Sequence, residues 1–189
     1  MRAYVRVHVQ GVRDTSGNAL ANPATLSFTT GGAPPKTLGN TGVGSLVDDT
    51  DSNHLNGSRI TTGASAVPLT SLSVHVGPVG AAPNGQYQLA VYSDAGGSPG
   101  TLVATTGSGT QTPKAWNSLP VKATLSANTA YRLGCTTNGT GAAVNNMNYA
   151  TGPTGSGACS NAVVPFGNWP ADFGPAVKDS LTYSLHGSY

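Results

Sequence analysis

Apolar and polar residues alternate with period two along much of this chain. Leu72, Val74 and Val76 share one side of a run whose other side is Ser71, Ser73 and His75. Further on, Tyr87, Leu89 and Val91 oppose Gln88, Ala90 and Tyr92, and Tyr131, Leu133 and Cys135 share a face. Strict period two marks a strand with one buried side. Turn clusters at Pro83-Asn84-Gly85, Gly96-Gly97-Ser98-Pro99-Gly100 and Ala127-Asn128-Thr129 separate such runs between Thr70 and Thr137. A strand is also expected over Gly57–Thr62, and a last one over Leu181–His186 with Leu181, Tyr183 and Leu185 on one face. At the other end, Val5, Val7 and Val9 alternate in a run that pairs as a long-looped hairpin with Thr25–Thr30. No run carries a helical period. The expected fold is all-β: an antiparallel β-sandwich of jelly-roll type with an N-terminal β-hairpin.

Gly31-Gly32-Ala33-Pro34-Pro35-Lys36 ends the hairpin and stiffens the exit. The expected organisation is therefore a hairpin over 1–32, a linker over 33–37 and a sandwich over 38–189. Two strands alone bury too little to be independently stable. The hairpin is expected to dock, to pair with a neighbouring chain or to be loosely held.

Composition narrows the function. The 189 residues are only 8% charged, with a net charge of +2, and no Lys or Arg run exists between Arg2 and Lys178. Nucleic acid is therefore not an expected partner. No apolar run approaches the roughly 18 residues that cross a bilayer, so membrane insertion is not expected either. There is no Glu, and all seven acids are Asp. Low charge with abundant Thr, Asn and Gly goes with secreted or extracellular bacterial modules. Met1 leads straight into a strand-like run rather than a signal peptide, so the chain reads as a piece of a longer secreted protein.

Two resemblances sharpen these expectations. GVRDTSGNALANPATLSFTTG resembles the last two strands of bacterial Ig-like domains, over about residues 3–31. YQLAVYSDAGGSPGTLVATT, then Ala115-Trp116-Asn117 leading into LPVKATLSANTAYRL, resembles the jelly-roll accessory modules of secreted bacterial glycoside hydrolases and adhesin-like proteins. That resemblance implies a non-catalytic carbohydrate-binding module, with a polysaccharide and the catalytic domain of a parent protein as partners. The alternative is a structural or adhesive surface module acting through protein contacts.

Sugar rings have apolar faces on which exposed aromatic rings stack. Trp169, in the Gly- and Pro-punctuated PFGNWPADFG, is the candidate stacking residue, with Asn168 and Asp172 beside it for hydroxyls. Its other reading is a cap over the core. Tyr92 and Tyr149 are further candidate aromatics, and Arg59 is a hydrogen-bonding candidate or a plain strand-face cation. Trp116 reads as an edge or core residue, and His75 and His186 as ordinary surface residues. Asp49-x-Asp51-x-Asn53 copies the opening of an oxygen-rich calcium loop, but His54 and the missing Glu depart from it. It holds one structural calcium or is an Asx turn. Cys135 and Cys159 are expected to form one disulfide, with a buried apolar Cys135 as the alternative. Neither two flanking carboxyls nor a GxSxG or HExxH motif is evident, so no catalytic centre is expected.

Overall fold

A computed structural model describes residues 4–8, 13–19, 25–29, 34–49, 51–139 and 143–189, with backbone only for 4–8 and 25–29. The expectations for Val9, Thr30, Gly31-Gly32-Ala33 and the faces of the N-terminal strands lie outside the described residues. The chain divides into two compact units, Met1–Pro35 and Lys36–Tyr189. In the first, β1 (Tyr4–His8) and β2 (Thr25–Thr29) form the antiparallel hairpin, Tyr4 opposite Thr29. Its loop is organised by Asp14, whose Oδ1 accepts the amides of Ser16 and Asn18, both at 2.9 Å.

The second unit contains β3 (Thr37–Gly39), β4 (Leu46–Val47), β5 (Asn56–Thr61), β6 (Val67–His75), β7 (Gln86–Ala95), β8 (Ser98–Thr105), β9 (Gly109–Thr110), β10 (Trp116–Leu125), β11 (Ala130–Thr137), β12 (Asn148–Thr151), β13 (Gly157–Ser160), β14 (Ala176–Asp179), β15 (Leu181–Tyr183) and β16 (Leu185–Ser188). One sheet runs β10-β6-β16-β3. A larger one runs β14-β13-β5-β11-β7-β8, with β9 also on β7. A small sheet, β15-β12-β4, completes the unit. The strands pair antiparallel and mostly with partners distant in sequence, so this is the antiparallel sandwich that the alternation predicts. No helix among the described residues is long and apolar enough to cross a membrane.

The inward residues are those of the period-two runs. Leu72, Val74, Leu89, Val91, Leu133, Cys135 and Leu185 are fully buried in the main core. Each large apolar side chain so buried contributes about 1.5–3 kcal/mol. A second, smaller core lies elsewhere: Leu55, Ala90, Tyr92, Ala158, Val164 and Phe173, with Trp169 against them. Ala90 and Tyr92 belong to the opposite face of β7 from Leu89 and Val91. The segment from Val164 to Phe173 therefore covers the outer side of the large sheet there, and β7 is buried on both faces.

Two expectations are corrected by the strand layout. Leu181–His186 is not one strand: the Ser184 amide donates to Asn148 O, and the chain passes from the small sheet into the β6 sheet. β12, over Asn148–Thr151, is a strand that the alternation does not single out. The disulfide between Cys135 and Cys159 is not made. Asn56 on β5 is the register partner of Cys135 on one side and of Cys159 on the other. Two strand spacings of about 4.8 Å hold the thiol-bearing residues about 10 Å apart. A disulfide needs its Cα atoms within about 7 Å.

Candidate functional site

The aromatic site expected around Trp169 is not assembled as a stacking platform. Tyr92, expected to be exposed, is fully buried, and its hydroxyl donates to Pro170 O at 2.9 Å. Its ring lies edge-on to Phe173 with centroids 5.2 Å apart, and 6.2 Å from the ring of Trp169. Trp169 is half-buried and caps the second core, the other reading of that residue. Its indole Nε1 is buried without a hydrogen-bond partner. Asn168 and Asp172 are exposed on the same segment, and Asp172 bridges antiparallel to Thr101. Tyr149 is apart from them in β12, half-buried, its ring 6.3 Å from that of Tyr183.

The acidic triplet separates. Asp49 is exposed, whereas Asp51 is fully buried and accepts Asn56 Nδ2 at 2.6 Å and the Met147 amide at 2.5 Å. Asn53 occupies a left-handed turn (φ 54°) and donates through Nδ2 to Gly139 O at 3.4 Å. Among the described residues, no group of three or more His, Cys, Asp or Glu could hold a metal ion. Burial, with the negative charge of Asp48 second, pushes the Asp51 carboxyl up to about 8.

Arg59 is where the sequence candidates meet a cavity. It points outward from β5, next to Arg132 on β11 and, one strand further, Tyr92 on β7. Asp94 ties the pair together. Its Oδ1 is 3.0 Å from Arg59 Nε and its Oδ2 is 3.0 Å from Arg132 Nε. The side chains of Asp94 and Arg132 are 0% exposed, that of Arg59 41%. Arg132 Nη2 also donates to Gly97 O and Gly155 O, both at 3.1 Å. Removing a buried guanidinium from water is costly, and desolvation lowers the Arg132 pKa despite the charge of Asp94.

Two clefts adjoin at Arg59. One, of about 270 Å³, is walled by the loop Pro153–Ser156 together with Arg59, Thr61 and Thr182. The other, of about 390 Å³, adds Leu38, Gly39, Asn40 and Ser58. Both share Arg59, Ile60, Thr61 and Thr182, so they form one groove beside the end of β5. The walls are fixed by the fold. The Arg59 amide donates to Ser156 O at 2.7 Å, Thr182 Oγ1 bonds Ser156 Oγ at 3.3 Å, and Asn40 Nδ2 donates to Tyr183 O at 3.1 Å. Gly152 is required here, because any Cβ would collide with Thr182 Oγ1. The groove thus presents a guanidinium end, Thr and Ser hydroxyls and a carboxamide, all held by a rigid frame.

One feature was missed by the sequence reading. Trp116 is half-buried on β10, with His75 at 5.5 Å and His186 at 4.7 Å between ring centroids. Its register partner is His75, and His186 lies across β6 opposite Ser73. The indole therefore reaches over the small Ser73 to the far strand. Parity with the inward Leu119 was the available signal, since it sends Trp116 outward. Comparison with family models, curated proteins and solved structures finds no match to this chain.

Proposed function

We propose that the unit Lys36–Tyr189 is a non-catalytic carbohydrate-binding module of a secreted protein, holding a polysaccharide segment near an attached catalytic domain. The observation that carries this reading is the Arg59 groove. Sugar recognition needs several fixed donors and acceptors at once, and here Arg59, Thr61, Thr154, Ser156, Thr182 and Asn40 line a single groove. Its two lobes, about 270 and 390 Å³, match one or two sugar residues on the scale of small-ligand sites. Tethering would act by raising effective concentration at the polymer. The carboxyl groups nearest the groove have structural tasks: Asp94 joins two guanidinium groups, and Asp179 Oδ1 accepts the Leu181 amide at 2.8 Å. That supports binding rather than hydrolysis, which uses two carboxyls flanking the bond.

Affinity electrophoresis through gels containing soluble polysaccharides tests the reading, with Arg59→Ala alongside. Retardation by one glycan class, lost in the variant, is the expected result. Free migration of the wild-type chain through every glycan would overturn it. A second reading, an adhesive module, is favoured by the exposed apolar side chains of Val43, Leu46 and Val47, at 53, 47 and 40% exposure. These three exposed apolar residues lie within five positions of one another, and exposed apolar surface gathered in one place marks protein contacts. Concentration-dependent sedimentation, abolished by Leu46→Ser, would support it.

A further inference from the structure

The geometry points to a carboxylate on the bound glycan, so that the ligand is an acidic polysaccharide built on uronic acid residues. This inference rests on the groove being the carbohydrate site. Among the described residues that wall the two clefts, Arg59 is the one charged side chain, and its partner Asp94 is not part of that wall. A neutral sugar offers no charge for such a cation to pair with. Asp94, the carboxylate that could cancel it, is withdrawn from the groove. It is buried, shared equally at 3.0 Å with Arg132, and its Oδ1 also accepts the Gly97 amide at 2.8 Å. One carboxylate between two guanidinium groups leaves the trio with a net charge of +1.

The orientation is equally specific. Asp94 engages Arg59 through Nε. That contact leaves the two terminal nitrogens of the same guanidinium, a planar edge that matches the two oxygens of a carboxylate. The contact also removes much of the side-chain freedom that a long exposed Arg would lose on binding. Behind the groove, Arg132 donates to the carbonyl of Gly155, a wall residue, while its Nη1 is buried with no partner. A cation that shares its one carboxylate with Arg59 thus lies directly behind the wall. Asp179 is the next carboxylate. Its charge reaches Arg132, but its Oδ1 is turned to the Leu181 amide and packs over Gly157 rather than on the groove wall. The Thr and Ser hydroxyls around Arg59 would meet the neutral hydroxyls of the same sugar.

Affinity electrophoresis with matched probes decides the matter: polygalacturonate, its fully methyl-esterified form, a neutral galactan and dextran sulfate. The methyl ester keeps the backbone and removes the charge. The expected result is retardation by polygalacturonate, with a Kd about tenfold weaker for the ester, the difference between a charge-assisted and a neutral hydrogen bond. Arg59→Gln should erase that preference, and Arg59→Lys should restore it only in part. Because Arg132 still pairs with Asp94, both variants are expected to fold, and unchanged urea midpoints would verify this; the ester comparison needs no variant at all. Equal retardation by ester and acid, or by neutral galactan alone, would overturn the acidic ligand and leave carbohydrate binding standing. Retardation by dextran sulfate and polygalacturonate alike, indifferent to Arg59, would also overturn it, as non-specific charge attraction. Free migration through all four would overturn it and count against the groove as a carbohydrate site.

Discussion

Asp51 should make this protein less stable as pH rises, the reverse of the usual behaviour of a paired carboxylate. Its side chain is fully buried, its two oxygens accept Asn56 Nδ2 and the Met147 amide, and Asp48 lies close by with its Oδ2 on the Tyr183 hydroxyl at 2.8 Å. Burial first, then the charge of Asp48, raise the carboxyl from 3.8 to about 8 in the folded chain. Between those two values the native state binds more protons than the unfolded state. Stability is then lost with rising pH, at about 1.4 kcal/mol per pH unit. Between pH 5 and pH 8 the loss attributable to this group is about 4 kcal/mol, a large part of the stability of a domain. His186 acts in the opposite sense. Burial lowers its pKa, so the stability it contributes is present above its ordinary value of 6.5 and lost as pH falls below it. Urea unfolding should therefore be followed at steps from pH 5 to pH 8 for the wild type and Asp51→Asn, whose amide stays neutral throughout. The difference between the two isolates Asp51, because His186 is common to both. A difference that stays constant across the window, or that grows in favour of the wild type at high pH, would refute the argument.

Other perturbations read different parts of the frame. Asp94→Ala strands the buried Arg132 guanidinium and should cost about 3–5 kcal/mol in urea unfolding, against about 0–1 kcal/mol for Arg59→Gln at the exposed end of the same network. Tyr92→Phe removes only the bond to Pro170 O and should cost about 1 kcal/mol, with faster amide exchange confined to the Val164–Phe173 cover. Thiol titration should find two reduced thiols in denaturant under non-reducing conditions. In the native state Cys135 should not react, since it is fully buried and burial raises its pKa. A mass two hydrogens short would show instead that the bridge forms.

The strands were legible because the main core lies on one side of each. Leu72, Val74, Leu89, Val91 and Leu133 face it, and their neighbours do not. The same rule misplaced Tyr92. Period two assigns the second face to solvent by default, but in β7 that face carries Ala90 and Tyr92, and the Val164–Phe173 segment folds over it. The unbroken apolar run Leu89-Ala90-Val91-Tyr92 was the signal that both faces are covered. Trp169 followed from the same omission: a Gly- and Pro-rich segment exposes its aromatics only when no second apolar surface lies beneath it, and Tyr92 with Phe173 is that surface.

The groove was out of reach for a different reason. Its walls come from Leu38–Asn40, Ser58–Thr61, Pro153–Ser156 and Thr182, four stretches with no mutual spacing in the sequence. Arg59 alone was legible as a candidate, and only as a cation on a strand. What turns it into a site is a chain of contacts that no local pattern encodes. Arg132 enters the outer face of β11 between Arg59 and Tyr92, and Asp94 follows one turn of the pleat beyond Tyr92 on β7. Asp94 reaches back to both guanidinium groups. Meanwhile Gly152 allows Thr182 to approach the Pro153–Ser156 loop, and Ser156 O takes the Arg59 amide at 2.7 Å. Each contact uses a residue whose own sequence context is an ordinary turn or strand. The side chain is thus tethered from behind by a buried pair, and its backbone is held beside by a loop. An isolated strand-face arginine would be solvated and mobile; this one is tethered through Nε by a buried carboxylate.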